Sequence, residues 1–250
     1  MAEAGPGKIR LFNDFAGPEQ LESLTATSHY IGQFRVVGEG FADATVGIVG
    51  LESAGLSGAI RIEAGATDQD STGLVTSKMF DVALMAPIVM EARVQFNDLN
   101  TKEFFFGLSD VNENDVALET DILGRGGNTT VTLVASDLVG FFFDAEFTAS
   151  ARWHGVYNGG TTTGETTSTN VELTIAANDI VAGEWDVIRL EIDADGLARW
   201  WVNGILRQTK AGAVSTTTDL CMNLLIGGKG ANELADVDYV LVTANRDWTV

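Results

Sequence analysis

Hydrophobic positions recur with a period of two along most of this chain. Residues 57–63, 88–96, 170–176 and 185–192 alternate apolar and polar side chains, the pattern of a strand with one buried and one open face. Residues 104–108, 138–143 and 220–226 are instead nearly continuous apolar runs, suited to strands buried on both faces. Turn signals separate these segments. Asp195-Gly196 lies between residues 185–192 and 198–202, and Asn203-Gly204 follows directly. Residues 237–242 supply a last strand. Many short strands with no helical periodicity between them cannot build parallel crossover units, so they are expected to pair antiparallel and close into a sandwich or barrel. Strand neighbours face opposite ways, so one of Trp200 and Trp201 is expected in the core and the other outside it.

The first 30 residues are less regular. Residues 8–15 alternate, with the capacity to pair as a strand, and Gly17-Pro18 ends them; the following stretch to Ser28 is polar. This divides the chain into an N-terminal extended arm, 1–30, and one sandwich domain, 31–250. Residues 157–169 are rich in Thr and Gly and read as a long exposed loop. A 250-residue chain with 45% hydrophobic residues suffices for one large sandwich core. The formal charge of −20 argues against nucleic acid and anionic membranes as partners, and favours basic surfaces or divalent cations. Cys221 stands alone inside an apolar run, so no disulfide framework exists within the chain and the thiol reads as a buried hydrophobe. No apolar run approaches the ~18 residues of a membrane span, and no basic-then-apolar leader opens the sequence. The expectation is a soluble protein made in a cytoplasm.

The second half carries a recognisable pattern. Residues 184–193 lead through Asp195-Gly196 to Arg199-Trp200-Trp201-Val202-Asn203-Gly204, and residues 235–240 form a closing strand. This resembles the strand, hairpin and V-N-G pattern of concanavalin A-like (laminin-G-like) jelly rolls. Residues 80–82, 90–96, 104–110 and 240–247 are similar to structural proteins of tailed bacteriophages, in which such a jelly roll decorates a capsid or builds part of a tail or fibre. The resemblance implies an all-β, antiparallel two-sheet jelly-roll sandwich.

Candidate chemistry is sparse. Jelly-roll glycosidases of the laminarinase family carry E-x-D-x-x-E or E-x-D-x-E on one strand. Glu119 and Asp121 match the first two positions, but Leu123 and Gly124 stand where the second catalytic carboxylate belongs. Asp110, Asn112, Asn114 and Asp121 imitate the oxygen ligands at positions 1, 3, 5 and 12 of a calcium loop, with Asp115 replacing the turn glycine. Trp153 and Tyr157 are candidates for stacking on a sugar ring, because Trp153 and His154 are adjacent on a strand and are not both expected in the core; core filling is the first reading for Trp153. Two distant histidines and no nucleophile elbow leave no serine triad to argue.

These observations point to a non-catalytic virion structural protein without a cofactor, Ca2+ aside. Its expected role is capsid decoration or cement, on the capsid surface, binding the major capsid protein or other virion proteins. The alternatives are a tail or fibre carbohydrate-binding module and a jelly-roll glycoside hydrolase. Sandwich edges expose unpaired backbone groups, so a homo-oligomer, trimer or dimer, is also expected.

Overall fold

The computed structural model describes residues 7–16, 29–38, 48–51, 58–148, 150–173 and 180–247. Its strands in the first half are β1 (Lys8–Asn13), β2 (His29–Ile31), β3 (Phe34–Val37), β4 (Ile48–Leu51), β5 (Ile60–Ala64), β6 (Ser71–Val75), β7 (Phe80–Asp81), β8 (Ile88–Gln95) and β9 (Lys102–Ser109). A one-turn helix α1 (Val82–Met85) lies between β7 and β8, and a π-helix (Leu118–Ile122) follows β9. Then come β10 (Leu123–Gly127), β11 (Thr130–Leu133), β12 (Leu138–Asp144), β13 (His154–Asn158), a 3-10 turn (Ser168–Asn170), β14 (Trp185–Ile192), β15 (Ala198–Val202), β16 (Ile205–Lys210), β17 (Asp219–Gly228) and β18 (Glu233–Asn245).

Two antiparallel sheets stack face to face. The back sheet runs β16-β15-β14-β8-β18-β5-β4, and the front sheet β13-β12-β9-β17-β6-β3-β2 with β7 beside β17. In the back sheet the alternation is clean: Ile88, Met90, Ala92 and Val94 of β8 point inward, as do Ile188, Leu190 and Ile192 of β14. A bulge between Val237 and Tyr239 shifts the inward set of β18 from odd to even positions, so Ala235 and Val237 share the core with Val240, Val242 and Ala244. Asp195-Gly196 and Asn203-Gly204 make the expected hairpins. Asn203 and Gly204 both adopt positive φ, 50° and 76°, as a two-residue connection of right-twisted strands requires.

Trp153 anchors the space between the sheets. Its ring lies within about 6.5 Å of Phe96, Phe104, Phe141 and Phe143. Its indole N–H donates to Asp186 Oδ2 at 3.0 Å, and Asp186 Oδ1 accepts from Asn203 Nδ2 at 2.7 Å, which ties the core to the Asn203 turn. Trp200 is buried and donates to the Gly140 carbonyl at 2.8 Å, whereas Trp201 is partly exposed, the split expected of strand neighbours.

Two sequence expectations need correction. Residues 8–13 are not a free arm: β1 pairs with β18 from Lys8↔Asn245 to Asn13↔Val240, and Phe15 is buried in the core. Alternation there reflects a strand of the back sheet; residues 17–28 of the expected arm lie outside the described residues. Asn170, the first residue of the strand expected over 170–176, belongs instead to the 3-10 turn Ser168–Asn170, and residues 174–176 lie outside the described residues. Among the described residues no helix is long and apolar enough to cross a membrane.

Candidate functional site

The outer face of the front sheet carries the chain's most unusual electrostatics. Antiparallel register puts Ser71, Gly227, Glu103 and Asp144 in one row across β6, β17, β9 and β12, all on the side away from the core. An outer row of this kind is normally wet. Here Glu103 and Asp144 are wholly buried, because residues 110–135 fold back over the sheet. Leu118 N–H donates to Ser71 Oγ at 2.8 Å, Gly38 N–H to the Asn114 carbonyl at 2.9 Å, and Arg35 Nη2 to the Asn112 carbonyl at 2.6 Å, which pins this cover down. Its π-helix aims Glu119 at the row of carboxylates.

Lys229, just beyond β17, gathers three of them. Its Nζ lies 3.3 Å from Glu103 Oε2, 3.2 Å from Glu119 Oε2 and 3.5 Å from Asp144 Oδ2. Two glycines make room. A Cβ on Gly227 would meet Glu103 Oε1 at 2.6 Å, and one on Gly124 would meet Glu119 Cγ at 2.5 Å. Burial, with Asp144 and Glu119 nearby, pushes the Glu103 carboxyl up to about 8 against the pull of Lys229. Burial also raises Asp144. It works against the Lys229 ammonium too, but Glu103, Asp144 and Glu119 outweigh it and hold that pKa above its usual range.

A protonated carboxyl beside a carboxylate is the raw material of acid–base catalysis. Here both groups lie wholly buried beneath the cover, and the Lys229 side chain is only 4% exposed. The cluster acts as an ionic rivet between cover and sheet. A second buried lysine does similar work on the inner side: Lys102 Nζ reaches Glu233 Oε2 and Asn97 Oδ1, each at 3.0 Å, and Asp98 Oδ1 at 3.3 Å.

The residues singled out from the sequence end up elsewhere. Glu119 and Asp121 sit in the π-helix, so period-two spacing does not place them on one sheet face. Three of the four calcium-loop candidates are engaged with other groups of the protein. Asp110 Oδ1 accepts from Asp137 N–H at 3.3 Å, Asn112 is engaged with Arg35, Asn114 is exposed, and Asp121 Oδ2 accepts from Ala117 N–H at 2.8 Å. Among the described residues no group of His, Cys, Asp and Glu is arranged to hold a metal ion. Trp153 and Tyr157 are 0% and 2% exposed, so neither can stack on a sugar. His154 is buried as well, against Phe147, and burial holds its pKa down to about 4. The adjacent pair Trp153 and His154 can both be interior because the covered front sheet has two dry faces.

The back sheet's outer face is open by contrast. Four arginines pair there with carboxylates: Arg61 with Asp236 at 2.8 Å, Arg93 with Asp238 at 2.6 Å, Arg189 with Glu191 at 2.7 Å and Arg199 with Asp193 at 2.9 Å. Between them lies a depression of about 370 Å³ lined by Glu91, Val187, Arg189, Glu191, Trp201 and Gly204.

The chain matches no protein-family model and no curated protein. Its architecture does match solved structures. An endo-acting O-glycanase of the human gut microbiota aligns over 94% of this chain and 99% of its own, with a TM-score of 0.59 and 9% identity. A protein of unknown function from Shewanella oneidensis MR-1 aligns over 98% and 89%, with a TM-score of 0.57 and 13% identity. The endo-β-1,3-glucanase of Pyrococcus furiosus aligns over 95% and 94%, with a TM-score of 0.54 and 16% identity. At such identities the likeness carries the fold and not the activity. Antiparallel topology, two stacked sheets and these structural relatives together establish that the chain has the concanavalin A-like jelly-roll fold.

Proposed function

We propose that this protein is a non-catalytic adhesive jelly roll, and that its setting is the surface of a virion, where it decorates and cements the shell. The observation that carries the non-catalytic part is the closed front sheet. Its two fully buried carboxylates are bound to Lys229 and covered by the chain's own residues 110–135. The virion setting rests on the resemblance of β7 to β9 and β18 to phage structural proteins. The net charge of −20 suits a basic patch on the major capsid protein or another virion component. A homo-oligomer would add avidity to weak contacts. Mass spectrometry of purified particles tests this reading. Hundreds of copies per particle are expected for a cement protein, whereas absence from particles sinks the virion role.

A glycan-binding role is the second reading. It is favoured by the open back face, where Trp185, Trp201 and Tyr239 are partly exposed among hydrogen-bonding side chains. Several proteins of the same fold are described as acting on or recognising carbohydrate. A glycan array probed with the whole chain, counter-screened for hydrolysis, tests it; silence across the array from folded protein counts against it.

A further inference from the structure

Three of the tryptophans the structure describes are held by partners. Trp153 is packed among phenylalanines and bonded to Asp186, and Trp200 is bonded to the Gly140 carbonyl and lies against Tyr157. The ring of Trp185 is capped by the Arg93 guanidinium at 4.7 Å. Trp201 has no such tie. No other ring and no cation faces it among the described residues, and its indole N–H is sealed from solvent with no acceptor.

The partly exposed Trp201 side chain lines the depression on the outer face of the back sheet, beside a fixed set of polar groups. Register places Leu206, Trp201, Arg189, Glu91 and Leu241 in one row across the outer face of the back sheet. Arg189 turns from the indole to Glu191 and Glu91, at 2.8 Å and 3.3 Å, and Tyr239 Oη donates to Glu91 Oε1 at 2.8 Å. The polar groups are thus held by one another, with one negative charge left over. One arginine against two carboxylates disfavours an anion. The carboxylate oxygens keep lone pairs for hydroxyl donors, and the indole offers an apolar plane beside them.

We propose that Trp201 is the floor of a saccharide site on the outer face of the back sheet. A neutral pyranose ring stacks on the indole, and its hydroxyls bond to Glu91, Glu191 and Arg189. This rests on the glycan-binding reading. The test uses the full chain labelled with ¹⁵N, titrated with laminarihexaose, cellohexaose and maltohexaose, plus the best binder from a glycan array. The Trp201 indole N–H resonance should shift most, and Trp201→Ala should weaken binding by about tenfold or more, with Trp201→Phe losing less. Should Trp201→Ala fail to fold, the wild-type indole shifts and Glu191→Ala decide the matter. Binding that leaves the Trp201 resonance and the Trp201→Ala affinity unchanged overturns the site while sparing the glycan reading. A folded wild type that binds no saccharide on the array overturns both. A Trp201 shift produced by a lysine- or arginine-rich peptide alone overturns the saccharide assignment and makes the depression a protein-docking site.

Discussion

The two sheets of this sandwich meet the same core but treat their outer faces in opposite ways. On the back sheet, β8 and β14 alternate strictly, and their outward Arg93 and Arg189 each find a carboxylate within reach of solvent. On the front sheet, β9 and β12 are buried at every position, and the charges that do occur there are locked under a cover. The same type of ion pair therefore does different work in the two places. At an open face it contributes little, because water competes and long side chains must be ordered. Under the cover, losing one partner leaves the others charged in a dry site.

The largest expected contrast lies between neighbours on one strand. Trp200→Ala should destabilise the fold by about 3–5 kcal/mol, because the side chain fills the core and satisfies the Gly140 carbonyl, while Trp201→Ala should change stability by less than about 1 kcal/mol. Equal losses in denaturant titrations would mean that the back face is covered after all. Next comes the charge comparison. Lys229→Ala should be destabilising by about 3–5 kcal/mol, as it strands Glu103, Asp144 and Glu119 together, whereas Arg199→Ala should fall below about 1 kcal/mol. Similar small values for both would show that the cluster is hydrated and the cover loose.

The subtlest test concerns pH. The Glu103 carboxyl sits near 8 in the folded chain against an ordinary 4.5. Between those values the folded chain keeps a proton that the unfolded chain has released. Its contribution is therefore complete below pH 4.5 and is lost as pH rises toward 8. His154 runs the other way: its pKa falls from 6.5 to about 4, so its contribution is present above 6.5 and lost as pH falls through 4. From pH 6.5 to 8 only Glu103 of this pair acts. Wild-type stability should decline over that interval, and Glu103→Gln should flatten the decline. Parallel slopes for the two proteins would remove Glu103 as the cause.

The difference between the sheets also decides what was legible in the sequence. The back sheet could be read because an open face leaves polar residues at every second position. Its hairpins could be read because Asp195-Gly196 and Asn203-Gly204 have chemistry that few other structures need. The apolar runs of β9, β12 and β17 announced strands dry on both sides but not what kept them dry. Residues 119–124 offer only the period-two spacing of a glycosidase strand motif, because nothing local marks a π-helix. The Glu103, Asp144, Glu119 and Lys229 cluster draws on four separate segments, so no spacing rule could assemble it. Its one sequence signal is a charged residue closing each of two phenylalanine-rich runs, Glu103 before Phe104 and Asp144 after Phe143. Trp153 fills the core, its first reading, and Tyr157 packs inward against Trp200, so the sugar-stacking alternative fails for both; that Trp153 and His154 are buried together reflects a sheet with two dry faces, where period-two logic supplies no outside.

The solitary cysteine turns this covering into something that can be timed. Cys221 lies on the outer face of the front sheet, and its thiol donates to the carbonyls of Ser109, at the end of β9, and Val111, at 3.2 Å and 2.9 Å. Val111 is where the chain leaves the sheet to begin its fold-back. Burial pushes the thiol up to about 11, so in the closed state it is both hidden and protonated. A thiol-specific reagent must wait for that corner to lift, and its rate of uptake becomes a clock for partial opening of the fold, separate from global unfolding.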